Sequence, residues 1–337
     1  MDAISNKTGA PQLDFCASIV ANPDISGRGV RISIYAGTVL NLLVSVIGSD
    51  KQTISDGCRN TLLTCAALVI SAIIEWKTQG LSLFDGVIVT MLAAMAPMGI
   101  GVNTIHHPAL GFTVNFSNLL AFTFMVYWAI QVWQDPATFV MPLNGEICTA
   151  SIETVFVMFG HNIKMTNRGL RGFTIGYFSL WAITVLIYLF ITIKWLIYHV
   201  KLALGGPVDS VPWKLKYYLD PSRKVMRRAK LFTTFALLGP VIYMIITIEQ
   251  VADRNNTQAQ LNNWSFGQTL ALITLLPQLM NFLSLCGEAY RGRKISESPR
   301  AQAETPTPMA TLPKHKHPNA LDPDVEATEK SSDHKDV

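Results

Sequence analysis

Charged residues are scarce in this chain and are missing altogether from six long segments. Only 15% of the 337 residues are charged, whereas 50% are hydrophobic. No Asp, Glu, Lys or Arg occurs in residues 32–49, 86–105, 111–134, 172–193, 231–248 and 267–286. These segments are apolar all round, without the single apolar stripe of a helix in a water-soluble protein. The composition therefore excludes an ordinary soluble domain.

The chain also lacks the short motifs of several common enzyme classes. It contains no Walker loop, no dinucleotide-binding fingerprint, no His-Glu-x-x-His and no Gly-x-Ser-x-Gly. Phosphate-cradling loops, hydride transfer and zinc proteolysis therefore have no support. The five cysteines do not have metal-site spacing. We expect neither a metal nor a redox cofactor.

The uncharged segments have the length of membrane-spanning helices. A helix needs roughly 17–25 apolar residues to cross a hydrocarbon core of about 30 Å. Continuous apolar runs lack the alternation of a transmembrane barrel. The sequence therefore predicts an all-α, polytopic transmembrane helical bundle with about seven spans. We place the spans at residues 30–49, 60–76, 86–105, 116–134, 174–202, 231–249 and 267–286.

The chain divides into a leader, a membrane domain and a tail. Residues 1–29 form a polar N-terminal leader with turn chemistry at Asn22-Pro23, and residues 30–286 form the transmembrane domain. Residues 287–337 are predicted to be a disordered cytoplasmic tail, because they have few large apolar side chains. Residues 147–163 are apolar but short, so we expect a re-entrant or interfacial segment and leave an eighth span open.

Basic residues predict the orientation. Residues 203–230 contain seven basic and two acidic side chains, which is the positive-inside pattern rather than a nucleic-acid surface. This places residues 203–230 and the tail in the cytoplasm and loop 250–266 in the lumen, with the N-terminus also outside. We expect a multi-pass protein of the endoplasmic reticulum or another endomembrane.

Several residues on the lumenal side of this topology are candidates for modification. The sequons at Asn6, Asn255 and Asn263 are candidate glycosylation sites. In the seven-span topology, Cys16 and Cys148 both lie on the lumenal side, where they could form a disulfide. Cys58 and Cys286 are expected to stay reduced.

Six carboxylates near the span ends are the candidate chemical groups. They are Asp24, Glu75, Asp85, Asp135, Glu153 and Glu249. A carboxylate at membrane depth is costly and usually faces a cavity or the bundle interior, although one near the interface can simply be solvated. Glu75 ends an apolar run and Asp85 starts the next, so a short hairpin brings them to one membrane face. Burial and like charge would keep a proton on such a pair, and a protonated carboxyl is a general acid. We predict Glu75 as the acid, helped by Asp85, with Asp24 as the next candidate.

Aromatic side chains form a second set of candidates. Trp181 and Tyr188 follow a helical spacing on one predicted span, and Trp128 lies in an aromatic-rich part of another. Aromatic faces attract cations, so we predict these three as substrate-binding residues. Helix packing and an interfacial aromatic belt are the more common explanation of the same pattern.

Three stretches of the chain resemble a group of fungal multi-pass membrane proteins. The segment from Cys16 to Tyr35, CASIVANPDISGRGVRISIY, resembles their opening signature Asn-Pro-Asp-Ile-Ser-Gly-x-Gly-Val-Arg. The stretch from Arg59 to Val89 and the pair Gly267-Gln268 are also similar, so the resemblance extends over most of residues 16–286. Some fungal membrane proteins of this size are terpene cyclases of ascochlorin- and macrophorin-type meroterpenoid pathways. Glu75 and Asp85 depart from the group, which is expected to have an amide and an imidazole there.

Most members of the group have no assigned activity, and the signature is shared by both kinds of relative. From the carboxylates and the aromatic residues together with this resemblance, our leading hypothesis is a membrane-embedded terpene cyclase that needs no metal. Its substrate would be a lipophilic prenylated molecule, with or without a terminal epoxide, cyclised by a proton from a carboxyl group. The alternatives are a seven-span receptor-like or transport protein and a structural membrane protein. A continuous polar path would favour transport, whereas an apolar pocket beside buried acids would favour cyclisation. The expected partners are the lipophilic substrate and membrane lipid, and no nucleic acid.

Overall fold

The computed structural model describes residues 19–47, 51–78, 80–102, 111–136, 139, 152–205 and 223–297. The helices are α1 (Pro23–Ser26), α2 (Arg28–Ile47), α3 (Lys51–Thr78), α4 (Leu83–Ile100), α5 (Phe112–Gln134), α6 (Arg168–Ala203), α7 (Arg223–Arg254), α8 (Gln258–Leu261) and α9 (Phe266–Glu297). Two strands, β1 (Val155–Met158) and β2 (His161–Lys164), lie between α5 and α6. The chain divides at residue 291, and the site lies in the N-terminal unit.

Within the described ranges, seven helical segments are long and apolar enough to cross a membrane. They are Pro23–Ile47, Gln52–Thr78, Leu83–Ile100, Phe112–Gln134, Arg168–Ala203, Arg228–Arg254 and Phe266–Glu288. The predicted all-α transmembrane bundle with seven spans is therefore confirmed.

The first span begins before the predicted residue 30. The Asn22 side chain accepts a hydrogen bond from the backbone N–H of Asp24 (2.9 Å), and Pro23 occupies the first turn of α1. An asparagine cap followed by proline is a favourable helix start. Residues that indicated a turn in a polar leader therefore start the first span, and residues 23–29 belong to the membrane bundle.

The second span also begins earlier than predicted. The polar residues before residue 60 continue α3 rather than forming a loop. The Gln52 amide donates to Asp56 (3.2 Å), and Arg59 pairs with the same carboxylate (3.1 Å). Side chains three and four residues apart face each other on a helix, so these pairs support its first turns.

Residues 155–164 form a β-hairpin instead of an eighth span. Strands β1 and β2 pair antiparallel, with Val155 opposite Lys164 and Met158 opposite His161. The turn residues Phe159 and Gly160 have φ of 50° and 80°, as in the turns that match the twist of a two-residue hairpin. An eighth span is therefore excluded for these residues, and residues 147–151 lie outside the described part of the chain.

Helix α4 lies at the centre of the bundle and positions the site. Of the 18 most hydrophobic consecutive residues in each helix, 94% are buried in α4 and only 22% in α6. Helix α4 packs against α2, α3, α5 and α7. Polar groups on its first turns therefore lie inside the protein rather than in lipid.

The cysteines add no covalent link within the described residues. Cys58 and Cys65 are buried and Cys286 is half-buried, and none of the three forms a disulfide with a described residue. Cys16 and Cys148 lie outside the described residues, so their disulfide stays a prediction.

Candidate carboxylate site

One asparagine joins the two carboxylates that the sequence singled out. The Asn22 Nδ2 donates to Glu75 Oε1 (3.0 Å), while the Asn22 backbone N–H donates to Asp85 Oδ2 (3.0 Å). The start of the first span thus meets the end of α3 and the start of α4. The short connection between these two helices places both carboxylates at one end of the bundle.

Asp85 is the more enclosed of the two carboxylates, with 1% of the residue exposed. Its oxygens accept hydrogen bonds from the Ser26 hydroxyl (2.5 Å) and the Ser82 hydroxyl (2.6 Å), besides the Asn22 N–H. Ser82 also caps α4 by accepting from the Asp85 N–H (3.1 Å). Three hydrogen-bond donors thus surround this carboxyl group at the first turn of α4. Asp85 therefore connects the first span to α4.

Glu75 is half-buried and less constrained. Among the residues that the structure describes, only the Asn22 amide donates to its carboxylate. Its second oxygen accepts no hydrogen bond from them. Of the two carboxyl groups, Glu75 is the one with an oxygen left for a ligand.

Asp24 lies outside this cluster. Its side chain is exposed, and Oδ1 accepts a hydrogen bond from the Gly267 N–H at the start of α9 (2.9 Å). A Cβ on Gly267 would lie 2.7 Å from that oxygen, so a larger residue would displace the contact. This geometry links the first span to the last and leaves Asp24 apart from Glu75 and Asp85.

An aromatic cluster adjoins the carboxylates. Trp76, the residue after Glu75, stacks on Phe139 (5.2 Å between ring centroids) and meets Trp128 edge-on (6.2 Å). The fully buried Trp128 donates its Nε1 hydrogen to the Gly86 carbonyl (3.2 Å). Trp76 directly follows Glu75, and Trp128 is hydrogen-bonded to Gly86, which directly follows Asp85. Both rings therefore lie close to the two carboxylates.

The other two predicted aromatic residues belong to a separate cluster. Trp181 and Tyr188 on α6 stack on Phe122 of α5, with ring centroids 5.2 and 5.5 Å apart. The structure therefore divides the predicted substrate-binding set. Trp128 adjoins the carboxylates, whereas Trp181 and Tyr188 pack α6 against α5.

An apolar groove of about 260 Å³ lies between α4, α6, α7 and the hairpin. It is lined by Thr90, Met91, Ala94, Met98, Trp133, Phe156, Met158, Leu170, Phe173, Thr174, Tyr177, Phe178, Pro240, Tyr243, Met244 and Thr247. We call it the α6–α7 groove. The Thr90 hydroxyl donates to the Gly86 carbonyl (2.8 Å), which also accepts from Trp128. The Gly86 carbonyl, next in sequence to Asp85, therefore accepts hydrogen bonds from one residue of the groove and one residue of the aromatic cluster.

A second charged group inside the bundle was not selected from the sequence. Arg31 Nε lies 3.4 Å from Glu249 Oε1, and the Tyr35 hydroxyl donates to the same oxygen (2.9 Å). The Arg31 side chain is 1% exposed, and its Nη1 has no hydrogen-bond partner among the described residues. Arg31 entered the sequence argument only as part of the signature, and Glu249 only as one of six acids. The sequence did contain a signal for this pair, because Arg31 directly precedes an apolar segment. An arginine in that position is often a buried or functional charge.

Two of the candidate glycosylation sites, Asn255 and Asn263, lie in the described part of the chain and differ sharply. The Asn255 side chain is buried, and its amide donates to the carbonyls of Val155 (2.8 Å) and Val251 (2.7 Å). A glycan would have to replace these bonds, so the folded structure argues against modification of Asn255. Asn263 is exposed and has room for a glycan, whereas Asn6 lies outside the described residues.

This difference predicts glycosylation of Asn263 but not of Asn255. In a background with Asn6→Gln, we expect endoglycosidase to shift the wild-type band on a gel. Asn263→Gln should abolish that shift, whereas Asn255→Gln should leave it. An unshifted wild type would contradict the assignment of loop 250–266 to the lumen.

Comparisons with known proteins return no relative. No protein-family model matches the chain, and no curated protein and no solved structure is similar to it. The function of the protein is therefore inferred from its own residues. Among the described residues, no group of three or more His, Cys, Asp or Glu could hold a metal ion.

Proposed function

We propose that the protein is a membrane-embedded terpene cyclase that closes rings on a lipophilic prenylated substrate after proton transfer. The observation that carries this proposal is the Asn22-bridged pair of Glu75 and Asp85 beside Trp76 and Trp128. An acid next to aromatic faces is what such a reaction requires. The proposed compartment is the endoplasmic reticulum or another endomembrane, where such substrates dissolve.

The hydrogen bonds support different roles for the two carboxyl groups. Both oxygens of Asp85 accept hydrogen bonds from described donors, so we assign it the role of holding the start of the first span against α4. Glu75 accepts only from the Asn22 amide, so its free oxygen can face the substrate and we assign it the role of proton donor. When the Glu75 O–H bond breaks, its proton passes either to an epoxide oxygen, with cleavage of a C–O bond, or to an alkene carbon.

The carbocation formed in this step would lie near Trp76. The exposed Lys77 ammonium, which lies 3.8 Å from the centroid of that ring, has to move into solvent before the carbocation can occupy this face. Cation–π contacts contribute about 2 kcal/mol or more where water is excluded. Attack by a second alkene closes the ring, and a C–H proton returns to a carboxylate. The product is an isomer of the substrate, and the proton balance closes without an oxidant or reductant.

Isotope labelling tests this reaction. Microsomes containing the protein are incubated in D₂O with a prenylated phenol or with its terminal epoxide. We expect a cyclic product that is an isomer of one of them. Protonation of an alkene leaves a C–D bond in that product, whereas opening of an epoxide places deuterium on oxygen, where it exchanges. Absence of a cyclic isomer from both substrates, with protein present at normal levels, contradicts the proposal.

A second candidate function, transport, is favoured by one observation. Buried polar residues follow the first span from end to end: Ser26, Arg31, Ser33, Thr38, Asn41 and Ser45. Two cavities of about 20 and 10 Å³ lie along it, and Gln278 lines both. Each has room for about one water molecule, which is too little for a solute path. Proteoliposomes with an internal pH dye test for proton flux, and flux above that of empty vesicles would favour transport.

A further inference from the structure

We propose that Gln260 is a positioning residue of the carboxylate site and holds Asn22 where its backbone and side-chain N–H donors reach Asp85 and Glu75. Gln260 itself contacts neither carboxylate. The inference rests on the proposed function for the change in catalytic rate that it predicts, whereas its effect on Glu75 can be measured without any substrate.

The side chain of Gln260 pairs with the backbone just before Asn22. Its Oε1 accepts a hydrogen bond from the Ala21 N–H (2.7 Å), and its Nε2 donates to the Ile19 carbonyl (3.0 Å). Residues 19–22 are not helical, and Asn22 is extended, with φ of −89° and ψ of 110°. In extended backbone, the carbonyl of one residue and the N–H two residues later point to the same side. One planar amide, which has both an acceptor and a donor, therefore replaces a neighbouring strand.

The direction of the Asn22 side chain is set by its backbone. Its Oδ1 accepts from the Asp24 N–H (2.9 Å), which leaves the Nδ2 of the same planar group to donate to Glu75 (3.0 Å). The Asn22 backbone N–H donates to Asp85 (3.0 Å). Because the helix cap fixes one end of the amide, the Nδ2 donor moves with the Asn22 backbone. A shift of the chain at this point would therefore change the hydrogen bond to Glu75.

The chain is held differently on the two sides of Asn22. On the helical side, the Asn22 carbonyl accepts a hydrogen bond from the Ser26 N–H (3.0 Å). On the other side, Gln260 is the only side chain of the described residues that is hydrogen-bonded to the backbone of residues 19–21. Loss of the Gln260 amide would therefore free the chain that leads into the site.

Gln260 is itself firmly anchored. It belongs to α8, where the flanking Thr257 and the last residue, Leu261, are both fully buried. The Thr257 hydroxyl donates to the Ala252 carbonyl of α7 (3.0 Å), and the Leu261 N–H donates to the Thr257 carbonyl (3.0 Å). The Gln260 amide is thus fixed to the end of α7 and holds the start of the first span in relation to it.

Replacing Gln260 by methionine tests this role, because methionine keeps the length of the side chain and removes both hydrogen bonds. Glu75 then loses the fixed position of its one described donor. In detergent, we expect carbodiimide-activated coupling of a small amine to Glu75 to become roughly 2–10-fold faster, the factor that one net hydrogen bond contributes. Peptide mass spectrometry maps the coupling, with the exposed Glu153 as internal reference. Unchanged coupling at Glu75 overturns the proposal.

The kinetics of cyclisation give a second readout. Gln260→Met should lower kcat by about 10²-fold, the cost of a misplacement of about 1 Å, and leave KM nearly unchanged. A loss of thermal stability without a change in kcat or in coupling would show a merely structural role and contradict the proposal. If the wild type forms no cyclic product but Gln260→Met changes the coupling at Glu75, the proposed function fails and the positioning role stands.

Two further variants make the test specific. Gln258→Met is the matched control in the same short helix, because the Gln258 side chain forms no hydrogen bond with a described residue, and it should change neither readout. Asn22→Ser keeps a capping oxygen and removes the donor to Glu75. In that background Gln260→Met should have no further effect on coupling, since the two residues act in one chain of contacts. An equal effect in both backgrounds contradicts the proposal.

A shorter side chain covers the case in which Gln260→Met fails to insert. Gln260→Asn keeps the amide but is shorter by one methylene, so it cannot reach the Ala21 N–H and the Ile19 carbonyl together from the same backbone position. It should accelerate the coupling at Glu75 in the same way. Wild-type coupling in this variant would overturn the proposal.

Discussion

Replacing Glu75 by glutamine is expected to lower the rate of cyclisation by roughly 10²–10⁴-fold, the usual contribution of a general acid. The amide keeps the size of the side chain and can still contact Asn22, which lies 3.0 Å from Glu75 Oε1. It cannot supply the acidic proton. The variant should therefore insert and fold normally while product formation falls, measured by mass spectrometry of microsomes given a prenylated aromatic epoxide.

Glu153→Gln is the matched control for that experiment. Glu153 is exposed beside the hairpin and pairs with exposed Lys164 at 3.4 Å, so the same substitution there should leave the rate unchanged. Asp85→Asn should also reduce activity, but with a loss of thermal stability. In this variant an NH₂ group replaces one carboxylate oxygen, so a donor would face the hydroxyl and N–H donors that now bind the carboxylate. Normal product formation by Glu75→Gln would eliminate Glu75 as the acid.

Removing Glu249 alone is expected to destabilise the protein strongly. Glu249→Leu leaves the buried Arg31 guanidinium without its carboxylate, and the Tyr35 hydroxyl also loses its acceptor. Breaking a fully buried pair costs about 3–5 kcal/mol. Since the Glu249 side chain is 43% exposed, water weakens the pair, and we expect about 2 kcal/mol. The measurement is tryptophan-monitored thermal unfolding in detergent.

The double variant gives the decisive comparison. Arg31→Met combined with Glu249→Leu removes both charges, and apolar replacement of a buried pair is often neutral or stabilising. The double variant should therefore unfold closer to the wild type than Glu249→Leu does. The exposed pair of Glu153 and Lys164 is the control, and its removal should cost less than about 1 kcal/mol. Equal stability of Glu249→Leu and the wild type would show that Arg31 does not depend on this partner.

Some features of the protein follow from local sequence alone. A charge-free run of sufficient length is a span wherever it occurs, because lipid cannot satisfy an exposed backbone. The seven spans were therefore predictable. So was the presence of Glu75 and Asp85 at one end of the bundle, because only a short connection separates α3 from α4. The predicted positions of the helix ends were less accurate, because the pair Asn22-Pro23 is equally common in a turn and at a helix start.

The partners of the polar groups were decided only by the tertiary structure. Asn22 meets Asp85 across 63 positions, and Tyr35 meets Glu249 across 214. A helix that is apolar on every side carries no stripe to show which face turns inward, so its rotation follows from packing against neighbours. That rotation enclosed Asp85, left an oxygen of Glu75 without a described partner and buried Arg31 beside Glu249. It also separated Trp128 from Trp181 and Tyr188, although all three are aromatic residues of adjacent spans.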